Sequence, residues 1–162
     1  MTPCVLQCDD VPTGVPEAAF EALRTTWLVD FGAWVSDNTD AYFGTADVSV
    51  QLKESTARAM LATPLPIVFE THRTLTRADL RADLQALALP VTVIQGTSDA
   101  SAPIEATGEP TAAMVTGAEL VTIDGGGHGL YQGHSIHYND ALITALRRMA
   151  DAETPAGATR TV

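Results

Sequence analysis

The sequence predicts an α/β fold in which a helical segment precedes a βαβα unit with parallel strands. Three observations carry this. Before residue 90, apolar residues recur at spacings of three and four over long stretches, the period of amphipathic helices. After it come two short, unbroken, β-branched runs, "VTVIQG" and "AELVTI", of the kind that fills a strand buried on both faces. Each run is followed by a Gly- or Ser-bearing loop and then by a helical pattern, and strand–helix–strand–helix at this spacing is a βαβ unit with one more helix.

Taken in order, "MTPCVLQ" reads as a short extended start and "DDVPTGVP" as a turn-rich connector. Pro16 and Glu17 suit the first turn of a helix, and Phe20, Leu23, Trp27, Phe31 and Trp34 give it one apolar stripe over 17–38. A second helix is expected after Asp47 or Ser49, with Leu52, Ala59 and Met60 inward, and a third near "LPIVFETHRTL". Thr76 to Asp79 resembles a capping box opening a turn before "LRADLQALALP". Beyond the first strand, a helix within 104–116 should end on Gly117 as its C′ glycine. The last helix is expected over 135–150 with Ser135 as N-cap, leaving 151–162 as a polar, disordered tail. The expected division is therefore 1–89 (extended start and helical region), 90–150 (βαβα) and 151–162 (tail).

The 162 residues suffice for one core, and the two cysteines, Cys4 and Cys8, are too few for a disulfide framework. They read as unreactive thiols, and a reducing cytoplasm is the expected compartment. The start lacks a basic segment followed by a long apolar one, so no signal peptide is expected. A formal charge of −11 with a single lysine, Lys53, excludes nucleic acid and anionic lipid as expected partners, because both are held by clustered cations. No apolar run approaches the ~20 residues of a membrane span.

The chemistry concentrates at the strand ends. In open α/β sheets, ligands bind beyond the carboxyl ends of the strands. Asp99, in "GTSDASAP", follows the first strand, and His128, in "IDGGGHGL", follows the second. If the strands are parallel neighbours, both side chains reach one edge, where a carboxylate can accept the imidazole N–H and fix its tautomer. The glycines around His128 are expected to supply unusual φ values and open space around the ring. Asp99 could equally be an Asx-turn residue closing an ordinary loop. A rival grouping is His128, His134 and His137 with Asp124, which invites a zinc reading. The plainer expectation is no metal and no cofactor, with His134 and His137 as polar residues on the first turn of the last helix. His72 reads as a surface or packing residue of the helical region, and the aromatic stripe as its core.

"LPVTVIQGTSDASAP" followed by "VTGAELVTIDGGGHGLYQGH" resembles the last third of α/β-hydrolases, and within them most closely the non-haem haloperoxidases and related esterases. The family form is an apolar strand, G-x-x-D, x-x-x-P, a helix, a second strand and G-x-x-H-G. On that resemblance Asp99 matches the triad acid and His128 the triad histidine, residues 1–89 match a helical cap, and the chain as a whole looks like a truncated α/β-hydrolase fold. The resemblance implies serine-hydrolase chemistry on small carboxylic esters or acyl groups, with perhydrolysis by hydrogen peroxide as a haloperoxidase-like extension. It also implies that an aromatic of the cap lines an acyl pocket.

The sequence departs from the family where the nucleophile belongs. A G-x-S-x-G turn between strand and helix should precede the acid and the histidine. None stands upstream of Asp99, since Ser36, Ser49 and Ser55 lack flanking glycines. "GHSIH" around Ser135 follows His128, has a histidine in place of the last glycine, and has no strand leading into it. No nucleophile is therefore expected in this chain, and Ser98 and Ser101 are expected only to support Asp99. The alternative reading is a non-catalytic fragment or interaction subunit. Either way, the isolated chain is expected to self-associate, to be partly molten, or to need a complementary N-terminal hydrolase half to fold, because a cut sheet exposes an apolar edge.

Overall fold

The computed structural model describes residues 3, 4, 6–9 and 14–153. Its elements are α1 (Glu17–Phe43), α2 (Val50–Leu61), α3 (Leu65–Arg77), α4 (Arg81–Gln85), β1 (Thr92–Gly96), α5 (Gly108–Met114), β2 (Glu119–Ile123), α6 (Leu130–Gly133) and α7 (Ser135–Glu153). A 3-10 turn at Ile104–Ala106 leads into α5. Helices fill the chain up to β1, and the strands alternate with helices after it.

The long helix α1 is two helices joined at Asp30, whose φ of −159° and ψ of 93° are not helical. The Asp30 carboxylate accepts the Ala33 N–H at 2.8 Å, so it caps the second half from inside what the spacing presents as a single stripe. The break re-aims the buried face. Arg24 and Trp27 point inward before it, and Val35, Thr39 and Phe43 after it, while Leu28 and Val29 stand exposed beside it. In α2 the Ser49 side chain accepts the Leu52 N–H at 3.2 Å, as its expected position before the helix requires.

Thr76 does not open a capping box. It lies in the last turn of α3 with its hydroxyl donating to the Arg73 carbonyl, and it is Asp79 that turns the chain, accepting the Arg81 N–H at 3.1 Å. Arg81 also pairs with Asp79 through its guanidinium. The extended start is fixed here, since the Leu80 N–H donates to the Pro3 carbonyl at 2.7 Å and Cys4 bridges to Asp79. Cys4 is part-buried, and burial followed by the Asp79 charge pushes its thiol up, away from reactivity. Cys8 is exposed.

Among the described residues the sheet has two strands, β1 and β2, parallel, with Thr92 opposite Glu119 and Gly96 opposite Ile123. Equal register brings both carboxyl ends to the same level, so the two following loops leave from one edge. α5 and α7 pack on the sheet. α5 ends at Met114 with Val115 extended, two residues short of Gly117, so Gly117 is not its C′ residue; its φ of +77° serves the turn into β2 instead. An unexpected short helix, α6, separates the glycine loop from α7. The first α7 hydrogen bond runs from the Tyr138 N–H to the carbonyl of His134 (2.9 Å), so His134 rather than Ser135 is the capping residue. α7 continues through Glu153, past the expected end at 150; the rest of the expected tail, 154–162, lies outside the described residues. No helix among the described residues is long and apolar enough to cross a membrane.

Candidate active site

The loop after β1 is built around Asp99. Its Oδ1 accepts the N–H groups of Ser101 (3.0 Å) and Ala102 (2.9 Å), which is the Asx turn the sequence allows, and this leaves Oδ2 free to face outward. The far end of the loop is tied to the strand by Gln95, a polar side chain buried at the end of β1. Its Nε2 donates to the Ala102 carbonyl (2.6 Å) and to Thr107 Oγ1 (2.7 Å). A glutamine in an apolar strand is the one sequence signal of this brace, and the run "VTVIQG" hides it.

The loop after β2 carries His128, and its Nδ1 lies 2.9 Å from Asp99 Oδ2. The carboxylate is almost wholly buried (5 % exposed), whereas the imidazole is half exposed (51 %). Asp99 can only accept, so Nδ1 donates and Nε2 is left as a proton acceptor facing outward from the pair. Burial alone would raise the Asp99 pKa, but the His128 bond and the two backbone N–H groups outweigh it and hold the carboxyl below its ordinary value. The same bond raises the His128 pKa, partly offset by burial.

The glycines act differently from the expectation of open space. Of the four glycines of this loop, only Gly125 has positive φ (+68°). Gly126, Gly127 and Gly129 are buried and crowded. A Cβ on Gly127 would come within 2.4 Å of the Gly44 nitrogen, and one on Gly129 within 2.3 Å of the Tyr42 ring. Across the sheet edge, a Cβ on Gly96 would stand 2.0 Å from the Gly126 carbonyl oxygen. The glycines let three backbones meet: the end of β1, the His128 loop and the C-terminus of α1. The Ser98 N–H donates to Gly126 O (2.9 Å), Gly129 N–H to Tyr42 O (2.7 Å) and Thr45 N–H to Gly125 O (2.9 Å). The loop is rigid because it is full, and only the His128 side chain leaves it.

Tyr42, which sequence reasoning did not single out, flanks the imidazole with ring centroids 5.8 Å apart. Its hydroxyl meets that of Tyr131 at 3.0 Å, and burial, then this bond, raise its pKa. Its signal is its place at the end of α1, visible only once that helix is known to abut the glycine loop.

The rival zinc grouping is not assembled. Among the described residues no three His, Cys, Asp or Glu side chains come together to hold a metal ion. Asp124 accepts from the Thr97 hydroxyl (3.2 Å), His137 is exposed on α7, and the Nδ1 of His134 is buried without a hydrogen-bond partner among the described residues. Of the six serines, Ser36 lies within α1, Ser49 and Ser55 belong to α2, Ser98 and Ser101 to the Asp99 loop, and Ser135 opens α7. None stands on a turn between a strand and a helix with glycines on both sides.

A parallel strand pair with an acid after one strand and a histidine after the next, under a helical segment, is the C-terminal arrangement of an α/β-hydrolase. The model of the TAP-like protein family of α/β-hydrolases matches residues 71–160, and the chain belongs to that family. It is 26 % identical over 152 residues to a non-heme chloroperoxidase of Kitasatospora aureofaciens, covering 90 % of this chain and 55 % of that protein. Among solved structures it resembles a bromoperoxidase from Bacillus anthracis (25 % identity, TM-score 0.82, 90 % of this chain and 54 % of that one). An esterase from Exiguobacterium antarcticum shares the fold (18 % identity, TM-score 0.81, 90 % of this chain and 53 % of that one). The chain thus spans about half the length of the relatives it matches.

Proposed function

We propose that this chain supplies the acid and the histidine of a serine-hydrolase centre acting on small carboxylic esters, with the nucleophile supplied by a complementary segment. The observation that carries the reading is the Asp99–His128 pair at 2.9 Å, with one partner buried and braced and the other half exposed. In this role Asp99 orients the ring and stabilises the imidazolium. His128 Nε2 takes the proton of an attacking serine hydroxyl as its oxygen bonds to the ester carbonyl carbon. The proton then passes to the departing alcohol, and a water activated the same way releases the acid. The chloroperoxidase and bromoperoxidase matches support perhydrolysis as a second use of the centre, in which hydrogen peroxide replaces that water and the resulting peracid oxidises halide.

The same reading assigns a partner surface. Among the described residues β1 pairs with β2 alone, so the backbone groups of its other edge await a strand. Ile136, Ile143 and Leu146 of α7, and Leu87 and Leu89 before β1, are exposed apolar side chains. A hydrolase half bearing a strand, a G-x-S-x-G turn and a helix would pair with the β1 edge; a second copy of the chain is the competing occupant. The test mixes the chain with such a half taken from a bromoperoxidase-type relative and follows hydrolysis of 4-nitrophenyl acetate. Turnover that needs both polypeptides and disappears with His128→Ala is the expected result. Turnover indifferent to His128 overturns the assignment.

A further inference from the structure

The His128 side chain leaves the glycine loop half exposed, and its ring makes one hydrogen bond, from Nδ1 to Asp99. A single bond does not by itself hold an exposed side chain in one rotamer. What stands beside the imidazole is the Tyr42 ring, with centroids 5.8 Å apart and planes inclined at 58°.

Tyr42 is tied to the His128 loop at three levels. At the backbone, its carbonyl accepts the Gly129 N–H at 2.7 Å. Along the ring, Cε1 and Cδ1 lie 2.3 and 2.6 Å from where a Cβ on Gly129 would stand, so the ring fills the space that glycine leaves. At the tip, its hydroxyl meets that of Tyr131 at 3.0 Å. Tyr42 is the penultimate residue of α1 and Tyr131 belongs to α6, so this last bond closes the end of α1 over residues 128–131. Behind the pair, the buried Phe43 packs edge-on against Tyr42, and Tyr138 of α7 stands edge-on to Tyr131.

The hydroxyl pair is a local device. Tyr42 is half-buried and Tyr131 is 49 % exposed, so water competes for both oxygens, and phenylalanine at either place would pack the same ring. The Tyr42 hydroxyl stays protonated wherever histidine titrates, because burial and then the bond to Tyr131 raise its pKa. What the bond fixes is the setting of the Tyr42 ring, and that ring is the wall beside His128.

We propose that Tyr42 is a positioning residue for His128 and Tyr131 its anchor. The hydroxyl pair holds the Tyr42 ring where it keeps the imidazole from swinging off Asp99, with Nδ1 on the carboxylate and Nε2 turned outward. That this serves catalysis rests on the hydrolase reading above; the effect on the imidazole does not.

The test reads the imidazole itself, in the full chain. At a pH where the ring is neutral, the ¹⁵N shifts of His128 give the share of rings protonated on Nδ1, the form the Asp99 bond selects. A ring swung into water can carry its proton on either nitrogen. Tyr131→Phe should lower the Nδ1–H to Nε2–H ratio about threefold, the factor a partly exposed neutral hydrogen bond supplies, while His72 on α3 keeps its own. Tyr42→Phe should do the same, and the double variant should lose no more than either, because all three lack one shared bond. A ratio unmoved by both single variants overturns the proposal and leaves the Asp99–His128 pair standing. Losses that add in the double variant overturn it as well, since the hydroxyls would then act separately. A parent ring already divided between its nitrogens as in Asp99→Asn overturns the pair, and with it the hydrolase reading and this proposal together.

Discussion

Replacing Gly96 by alanine tests the way the two site loops are held together. The added Cβ would lie 2.0 Å from the Gly126 carbonyl oxygen, 2.3 Å from its carbon and 2.7 Å from its Cα. Contacts of a real Cβ start near 3.0 Å, so the two backbones must part by about 1 Å, and no flexible side chain is there to yield. Parting them stretches the 2.9 Å bond from Ser98 N–H to Gly126 O and draws Asp99 away from His128. Overpacking of a rigid contact costs about 1–3 kcal/mol and the strained hydrogen bond about 1 kcal/mol more. A total of about 2–4 kcal/mol is a large share of the roughly 5–15 kcal/mol that holds a domain. Urea unfolding reads this as a lower midpoint at unchanged slope. NMR titration reads the second effect, as the His128 pKa should fall back toward its ordinary value. A Gly96→Ala protein with the parent midpoint and a His128 that still titrates high would refute the crowded-loop account.

Further outcomes follow from the same geometry. His128 and His72 should titrate on opposite sides of the ordinary histidine value, His128 above through its bond to Asp99 and His72 below through burial and the Arg24 charge. Reversal of that order in a ¹H NMR titration contradicts both assignments. Because Asp99 is depressed and His128 raised, their pairing stabilises fully between about pH 4 and pH 6.5. It is lost as pH falls through the Asp99 pKa, and lost as pH rises through that of His128; a stability profile by urea unfolding, compared with Asp99→Asn, checks this. Asp99→Ala strands the Ser101 and Ala102 N–H groups and should cost about 2–3 kcal/mol. Asp99→Asn keeps an acceptor for them and should cost less, while turning the His128 tautomer over. Asp30→Ala removes the internal cap of α1 and should cost about 1 kcal/mol, seen as a lower urea midpoint.

The parts of the fold that were legible in the sequence are those set by local pattern. The β-branched runs placed both strands, and the loops behind them put Asp99 and His128 on one edge on the condition that the strands pair side by side in parallel, a condition the register of β1 on β2 meets. What stayed hidden depends on contacts between distant segments. Asp30 sits in an apolar stripe that continues past it, and only its ψ of 93° shows that it starts a new helix. The glycine loop reads as permissive backbone, yet its glycines answer to Gly44, Gly96 and the Tyr42 ring, each far away in sequence. Likewise Arg24 on α1 meets His72 on α3 at 3.1 Å, and neither residue carries a sign of the other in its own neighbourhood.

The central claim is that His128 is a working base whose serine lies outside this chain, and a fluorophosphonate probe tests it most directly, since it labels only a serine activated by a neighbouring base. The chain by itself should remain unlabelled at all six serines, Ser135 included. Paired with a complementary hydrolase half, label should enter the serine of that half, and His128→Ala should prevent it. Label on Ser135 or any other serine of this chain, lost with His128→Ala, would contradict the account.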